Sequence, residues 1–146
     1  MLDILELLAV IIGGGVLSLK LLAVWSHTRN AAHGIIKGKL APNNSSPNSV
    51  CSEGETANIN PLRVSDSDAW ENLQDAIESL SGRFERIEHE YLHAVFKTPL
   101  WGFEDDLEAR FDRQANLIHL RSASRVGYSD RGTNGRRVDS LKRILE

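Results

Sequence analysis

The segment RSASRVGYSDRGTNGRR, positions 121 to 137, places Arg121, Arg125, Arg131, Arg136 and Arg137 within seventeen residues of a chain whose formal charge is −3. Guanidinium groups this dense suit a planar anion, because each offers a fork of N–H donors that matches a carboxylate or a phosphate. The same stretch brings hydroxyls at Ser122, Ser124 and Ser129, a carboxylate at Asp130 and an amide at Asn134, and FEDDLEAR just upstream adds Asp105 and Asp106. Two chemistries fit these residue types. One is an anion- or partner-binding site with Arg121, Arg125, Arg136 and Arg137 as binding groups, oriented by Asp105 and Asp106. The other is a small hydrolase-like enzyme using Asp105 or Asp106 as general base, with Ser122, Ser124 or Ser129 as nucleophile or polar contact. The enzyme reading has less behind it, because no nucleophile elbow, triad order or metal motif accompanies the serines.

The elements that must position these groups follow from periodicity. FEDDLEARFDR alternates, with Phe103, Leu107, Ala109 and Phe111 on one side and Glu104, Asp106, Glu108 and Arg110 on the other. Asp105 falls on the apolar side, so its carboxylate turns inward and needs hydrogen-bond donors, which Ser122 and Ser124 offer from the core face of LIHLRSASRV. The opposite face of that strand carries His119, Arg121 and Arg125 against Asp106 and Glu108, the arrangement of cross-strand ion pairs. Arg136 and Arg137 fall in the first turn of a closing helix, with Asn134 as its expected N-cap and Val138, Leu141, Ile144 and Leu145 on one face. Cations there oppose the helix macrodipole unless an anion covers the helix start. Asp130, Asp105 or Asp106 could be that anion, and so could a ligand phosphate or carboxylate.

Upstream, Asp68 and Glu71 form a capping-box pattern before Trp70, Leu73, Ile77 and Leu80, and Gly82 stops the helix. RFERIEHE and YLHAVFKT read as a hairpin around Glu90, closed by Pro99. The order helix, four strands, helix predicts an α+β domain over residues 61–146: a four-stranded antiparallel sheet covered on one face by two helices. Residues 27–60, rich in Asn, Ser, Pro and Gly, read as a polar linker.

Residues 1–26 read as one transmembrane helix. Leu7 to Trp25 is apolar apart from Lys20, which can snorkel, and Trp25 suits a headgroup interface. A cleaved signal peptide competes, yet the start is acidic at Asp3 and Glu6 and no clear small-residue cleavage site follows. A buried helix of a soluble domain competes less well, because the segment is apolar on every face. Lys20, Arg29, Lys37 and Lys39 all lie toward the C-terminal side, so the positive-inside rule favours a cytoplasmic domain on a single-pass anchor.

Composition narrows the partners. Residues beyond position 40 carry a net charge of about −5, which argues against nucleic acid. Cys51 is the only cysteine, and the histidines at 27, 33, 89, 93 and 119 form no ligand spacing, so neither a metal site nor a cofactor is expected. The expected partners are the membrane itself and either a protein or an anionic lipid or small molecule. A third possibility is a small subunit docking through Gly13, Gly14 and Gly15 into a larger membrane complex.

FEDDLEAR, followed by RSASRVGYSDRGTN and RRV, resembles the signature of the domain-of-unknown-function 1499 family, over roughly residues 40–146. The resemblance implies a small bacterial protein, secreted or membrane-tethered, with no assigned activity. It also implies an outer location, against the cytoplasmic one that the flanking charges favour, so sidedness stays open. Two departures stand out. The family's linker carries two cysteines where this chain has Asn43 and Ser49, with Cys51 displaced by two positions, and Gly135 stands where an arginine is frequent.

Overall fold

The computed structural model describes residues 3–43, 46–65 and 67–145. In chain order the elements are α1 (Ile4–Ser26), β1 (Ile35–Ile36), β2 (Lys39–Leu40), β3 (Ser49–Cys51), β4 (Leu62–Arg63), α2 (Ala69–Ser79), β5 (Arg83–Ile87), β6 (Tyr91–Lys97), β7 (Glu104–Asp112), β8 (Leu117–Ser124) and α3 (Thr133–Leu145).

The acidic start that speaks against a signal peptide has a structural use. The Asp3 carboxylate accepts from the Glu6 amide at 2.8 Å, and the Glu6 carboxylate accepts from the Asp3 amide at 3.0 Å, a complete capping box. The helix it opens is long and apolar enough to cross a membrane or to act as a signal sequence. Its side chains stand exposed as far as Leu21, and only then do Ala23 and Ser26 become buried.

The strands from β5 to β8 form the expected antiparallel meander, but the sheet has six strands rather than four. β3 pairs with Arg121–Ala123 of β8, and β4 pairs with Leu117 and Ile118 of the same strand. Both added strands cover the outer edge of β8, whose backbone N–H and C=O groups would otherwise lack partners. β3 comes from the stretch read as a polar linker. Two- and three-residue strands carry no readable alternation, so only the need to cover that edge could have suggested them.

One face of the sheet holds the apolar core. Trp70, Leu73 and Ile77 of α2 and Val138 and Leu141 of α3 pack on Leu92, Phe96, Leu107, Ala109, Ile118 and Leu120, and Trp70 stacks on Phe111 with ring centroids 5.8 Å apart. Each such large side chain, fully buried, contributes about 1.5–3 kcal/mol. Gly82 permits the tight passage from α2 into β5, because a Cβ there would sit 2.5 Å from Ile77 Cγ2 and 2.7 Å from the Phe96 ring.

Two capping expectations are corrected. Asn134 lies within α3 rather than before it, and the carboxylate of Asp130 accepts from the Gly132 amide at 2.9 Å and the Asn134 amide at 2.6 Å. Asp68 does precede α2, but its side chain accepts the Ser67 hydroxyl and makes no capping bond.

The second face of the sheet is covered too. Residues 27–41 leave α1 and cross β7 and β8 as a strap, which includes the β1–β2 hairpin. That hairpin turns through Lys37 and Gly38, at φ 51° and 79°, a conformation glycine adopts at no cost.

Candidate functional site

Beneath the strap lies a layer of charge. The alternation of β7 sends Glu104, Asp106, Glu108 and Arg110 to this face, and the register sets Arg121 opposite Glu108. Glu108 accepts from Arg121 Nη1 at 2.9 Å, from the Tyr91 hydroxyl at 2.8 Å and from the Gly34 amide of the strap at 2.7 Å. Arg121 Nη1 also donates to the Ala31 carbonyl at 2.7 Å, so this fully buried cation ties the sheet to the strap.

Asp106 is equally enclosed. It accepts from the Ala31 amide at 2.7 Å, from His93 Nε2 at 2.7 Å, and from Arg125 through Nε at 2.9 Å and Nη2 at 2.7 Å. Burial pushes its pKa up, but the hydrogen bonds from His93, Arg125 and the Ala31 amide outweigh burial and hold it at about 2. Arg125 completes its fork on Glu104 at 2.6 Å. Farther along the strap, Glu53 accepts from the Leu40 amide at 2.9 Å and from Arg110 Nη2 at 2.6 Å. Burial and the adjacent Glu108 carboxylate raise the Tyr91 pKa well above that of a free phenol.

The helix-covered face holds a smaller polar cluster. Asp105 points inward, as the alternation requires, and pairs with Arg137 Nη2 at 2.8 Å. Arg137 Nη1 donates to Ser122 Oγ at 3.0 Å and to Asn134 Oδ1 at 2.5 Å, and its guanidinium lies 4.6 Å from the Phe96 ring centroid. The Ser122 hydroxyl donates to Asn134 Oδ1 at 2.6 Å, while Asn134 Nδ2 donates to Ser124 Oγ at 3.0 Å and to the Asn48 carbonyl at 2.9 Å. The serines therefore reach Asp105 through Arg137 and Asn134 rather than directly.

The expected site residues are thus divided. Arg121, Arg125, Asp106 and Glu108 belong to the strap face, whereas Arg137, Asp105, Ser122, Ser124 and Asn134 belong to the helix face. Arg136 is exposed, and its guanidinium donates to the Arg131 carbonyl at 2.9 Å and to Thr133 Oγ1 at 3.2 Å. Asp130 fills the anion position at the start of α3, and the Ser129 hydroxyl accepts from the Arg131 amide at 3.2 Å. Asn43 and Ser49, which stand where the resembled pattern has cysteines, are joined through Asn58. It accepts from Asn43 Nδ2 at 3.1 Å and donates to the Ser49 carbonyl at 3.4 Å.

A cleft of about 580 Å³ opens at the end of the sheet where α1 joins it. One wall is apolar, formed by Leu19 and Leu22 of α1 with Trp101, Phe103 and Val126. The other is polar, formed by Ser124, Ser129, Asp130, Arg131 and Thr133 with Asp105. Both carboxylates are already held, Asp105 by Arg137 and Asp130 by the start of α3. Among the described residues, the Arg131 guanidinium makes no ion pair or hydrogen bond, so its donors remain open to a ligand. Lys20 lies 5.7 Å from the Trp101 ring centroid and donates to the Leu100 carbonyl at 3.4 Å.

Reading the sequence for charge missed Trp101, Phe103 and the two α1 leucines. The signal was there in PLWGF, an apolar run in a connection between two strands, where polar turn residues are the rule. Among the described residues no cluster of His, Cys, Asp or Glu is arranged to hold a metal ion. A comparison with curated proteins yields no match. The family model described as Protein of unknown function (DUF1499) does match, over residues 39–145, which takes in both charge networks and the polar wall of the cleft, and the chain belongs to that family.

Proposed function

We propose that the chain is a membrane-tethered binding domain whose cleft, between α1 and residues 124–133, holds an anionic amphiphile such as a phospholipid. α1 is a single-pass anchor that stays attached. Supporting retention, Ser26 Oγ accepts from the Glu104 amide at 3.0 Å and His27 Nε2 bonds the Gly102 carbonyl at 2.9 Å, so the end of α1 is part of the domain's packing. Lys20, Arg29, Lys37 and Lys39 support a cytoplasmic placement by the positive-inside rule.

The observation that carries the reading is the composition of the cleft. It joins leucines of the anchor to hydroxyls and an unengaged guanidinium, the two chemistries of a lipid tail and head. Anion binding then falls to Arg131, while Lys20 stands beside Trp101 of the apolar wall, and Arg121, Arg125 and Arg137 hold the fold that shapes the cleft. A hydrolase has less support: Asp106, held at about pKa 2, accepts hydrogen bonds well but is a poor base at neutral pH, and Asp105 is engaged by Arg137.

Native mass spectrometry of the full chain, released from micelles carrying either phosphatidylglycerol or phosphatidylcholine, tests this. Wild type is expected to retain phosphatidylglycerol preferentially, Arg131→Ala to lose that preference, and Val126→Trp, which fills the cleft, to lose both lipids. Retention by a folded Val126→Trp protein equal to that of wild type would overturn the proposal.

A further inference from the structure

The level at which the domain meets α1 says where the domain lies relative to a bilayer. Residues Ile4–Ser18 stand clear of it, and at ~1.5 Å per residue they span only about 22 Å, short of a ~30 Å hydrocarbon core. The missing length must come from the part of α1 that packs on the domain. On its outward side that part still shows apolar surface, with Leu21, Val24 and Trp25 exposed. Trp25, with the Arg29 guanidinium 4.2 Å from its ring centroid, has the amphipathic character of an interfacial marker.

On the opposite side of α1, the β6–β7 connection descends along the helix. Gly102 bonds His27 and Leu100 bonds the side chain of Lys20, a residue about 7.5 Å before Trp25 along the helix, so the loop runs beside α1 toward its N-terminus. The loop tip is apolar and open, with Leu100 73% exposed. Beside it the loop after β8, which also walls the cleft, presents Tyr128, 75% exposed, next to Gly127 at φ 87°. Two neighbouring loops, at the end of the sheet joined to the anchor, thus each expose a large side chain.

We infer that this end of the domain is set into the membrane, with Leu100 and Tyr128 seated at the headgroup and acyl boundary of the leaflet from which α1 emerges. The occupant of this surface is the lipid leaflet itself, and its contact continues the apolar surface of α1. The cleft consequently opens sideways into the leaflet rather than into water. The inference rests on α1 being an anchor, but not on which lipid the cleft holds.

Nitroxide labels on the full chain reconstituted in phosphatidylglycerol and phosphatidylcholine vesicles test the placement. The labelled variants are Leu100→Cys, Tyr128→Cys, Val10→Cys in the N-terminal half of α1, and Ala115→Cys in the turn at the far end of the sheet. Cys51 stays unlabelled because it is buried and burial raises its thiol pKa. Labels at 100, 128 and 10 are expected to favour collision with oxygen over an aqueous nickel complex, and the label at 115 the reverse. If 100 and 128 behave like 115 while 10 reads lipid, the placement is overturned and the anchor stands. If 10 also reads aqueous, the anchor fails and the placement with it.

Discussion

On the helix side of the sheet, Leu73, Ile77, Val138 and Leu141 reach Leu92, Leu107 and Leu120 through apolar side chains. On the strap side, Asp106, Glu108 and Arg121 lie just as deep, but among the backbone amides and carbonyls of residues 31–34. The first face is held by area removed from water, and it tolerates small rearrangements because dispersion contacts are many and individually weak. The second face depends on a few directed bonds, and a buried charge that loses its partner has no water to replace it. Damage to the strap face should therefore be all or nothing, whereas damage to the helix face should be graded by volume.

The largest effect is expected at Glu108. Glu108→Ala leaves Arg121 buried without its carboxylate and should cost about 3–5 kcal/mol, as breaking buried pairs does. Among the described residues, Nε and Nη2 of Arg121 have no partner, so the neutral Ala31 carbonyl on Nη1 would be the acceptor left to it. Leu73→Ala, its counterpart on the helix face, should cost about 2–5 kcal/mol through the cavity it leaves. Urea unfolding of the full chain in mild detergent compares the two. The contrast sharpens in the double variant Glu108→Leu with Arg121→Met, which removes both charges and should recover most of the lost stability. Failure to recover would mean that the strap needs the charges themselves, through the Gly34 amide and the Ala31 carbonyl.

Acid should separate the faces next. Asp106 is held at about pKa 2 against an ordinary value of 3.8, so it stabilises the folded chain fully above that ordinary value. The contribution is lost as pH falls toward 2, because the unfolded chain takes up the proton first. The size is about 2 kcal/mol for a shift of this order. Unfolding midpoints measured from pH 5 down to pH 2 should fall for wild type, and Asp106→Asn should flatten that slope while lowering stability at neutral pH. An unchanged slope in Asp106→Asn would assign the acid sensitivity to other carboxylates.

The same contrast explains what could be read from the residues alone. The α2, α3 and β5–β8 segments were legible because apolar side chains on packed helices and strands recur at 3.6 or 2 residues. The inward turn of Asp105 was legible for the same reason, and so was the pairing of Arg121 and Arg125 with Glu108 and Asp106. The strap was not, since it acts through the N–H of Ala31 and Gly34 and the C=O of Ala31, groups that nearly every residue type carries. β3 and β4 escaped because they are too short to alternate. The polar half of the cleft lay within the arginine-rich segment, but its apolar half comes from α1 and from PLWGF, far apart in sequence and brought together only by the fold.

Adjacent arginines give the smallest and most discriminating test. Arg137 reaches back across the helix-covered face to Asp105, whereas Arg136 points to solvent and bonds its own loop. Arg136 closes the first turn of α3 and Arg137 opens the second, near a helix start whose dipole disfavours a cation, and Asp105 answers the charge of Arg137. Arg136→Ala should change stability by no more than about 0.5 kcal/mol in either direction, since the lost loop bond and the relieved dipole repulsion oppose each other. The check is its unfolding midpoint beside that of wild type under the same detergent conditions. A loss of several kcal/mol at Arg136 would mean that the loop from Asp130 to Thr133 is held by this exposed side chain and not by the Asp130 carboxylate, and the polar wall of the cleft would then rest on Arg136 instead.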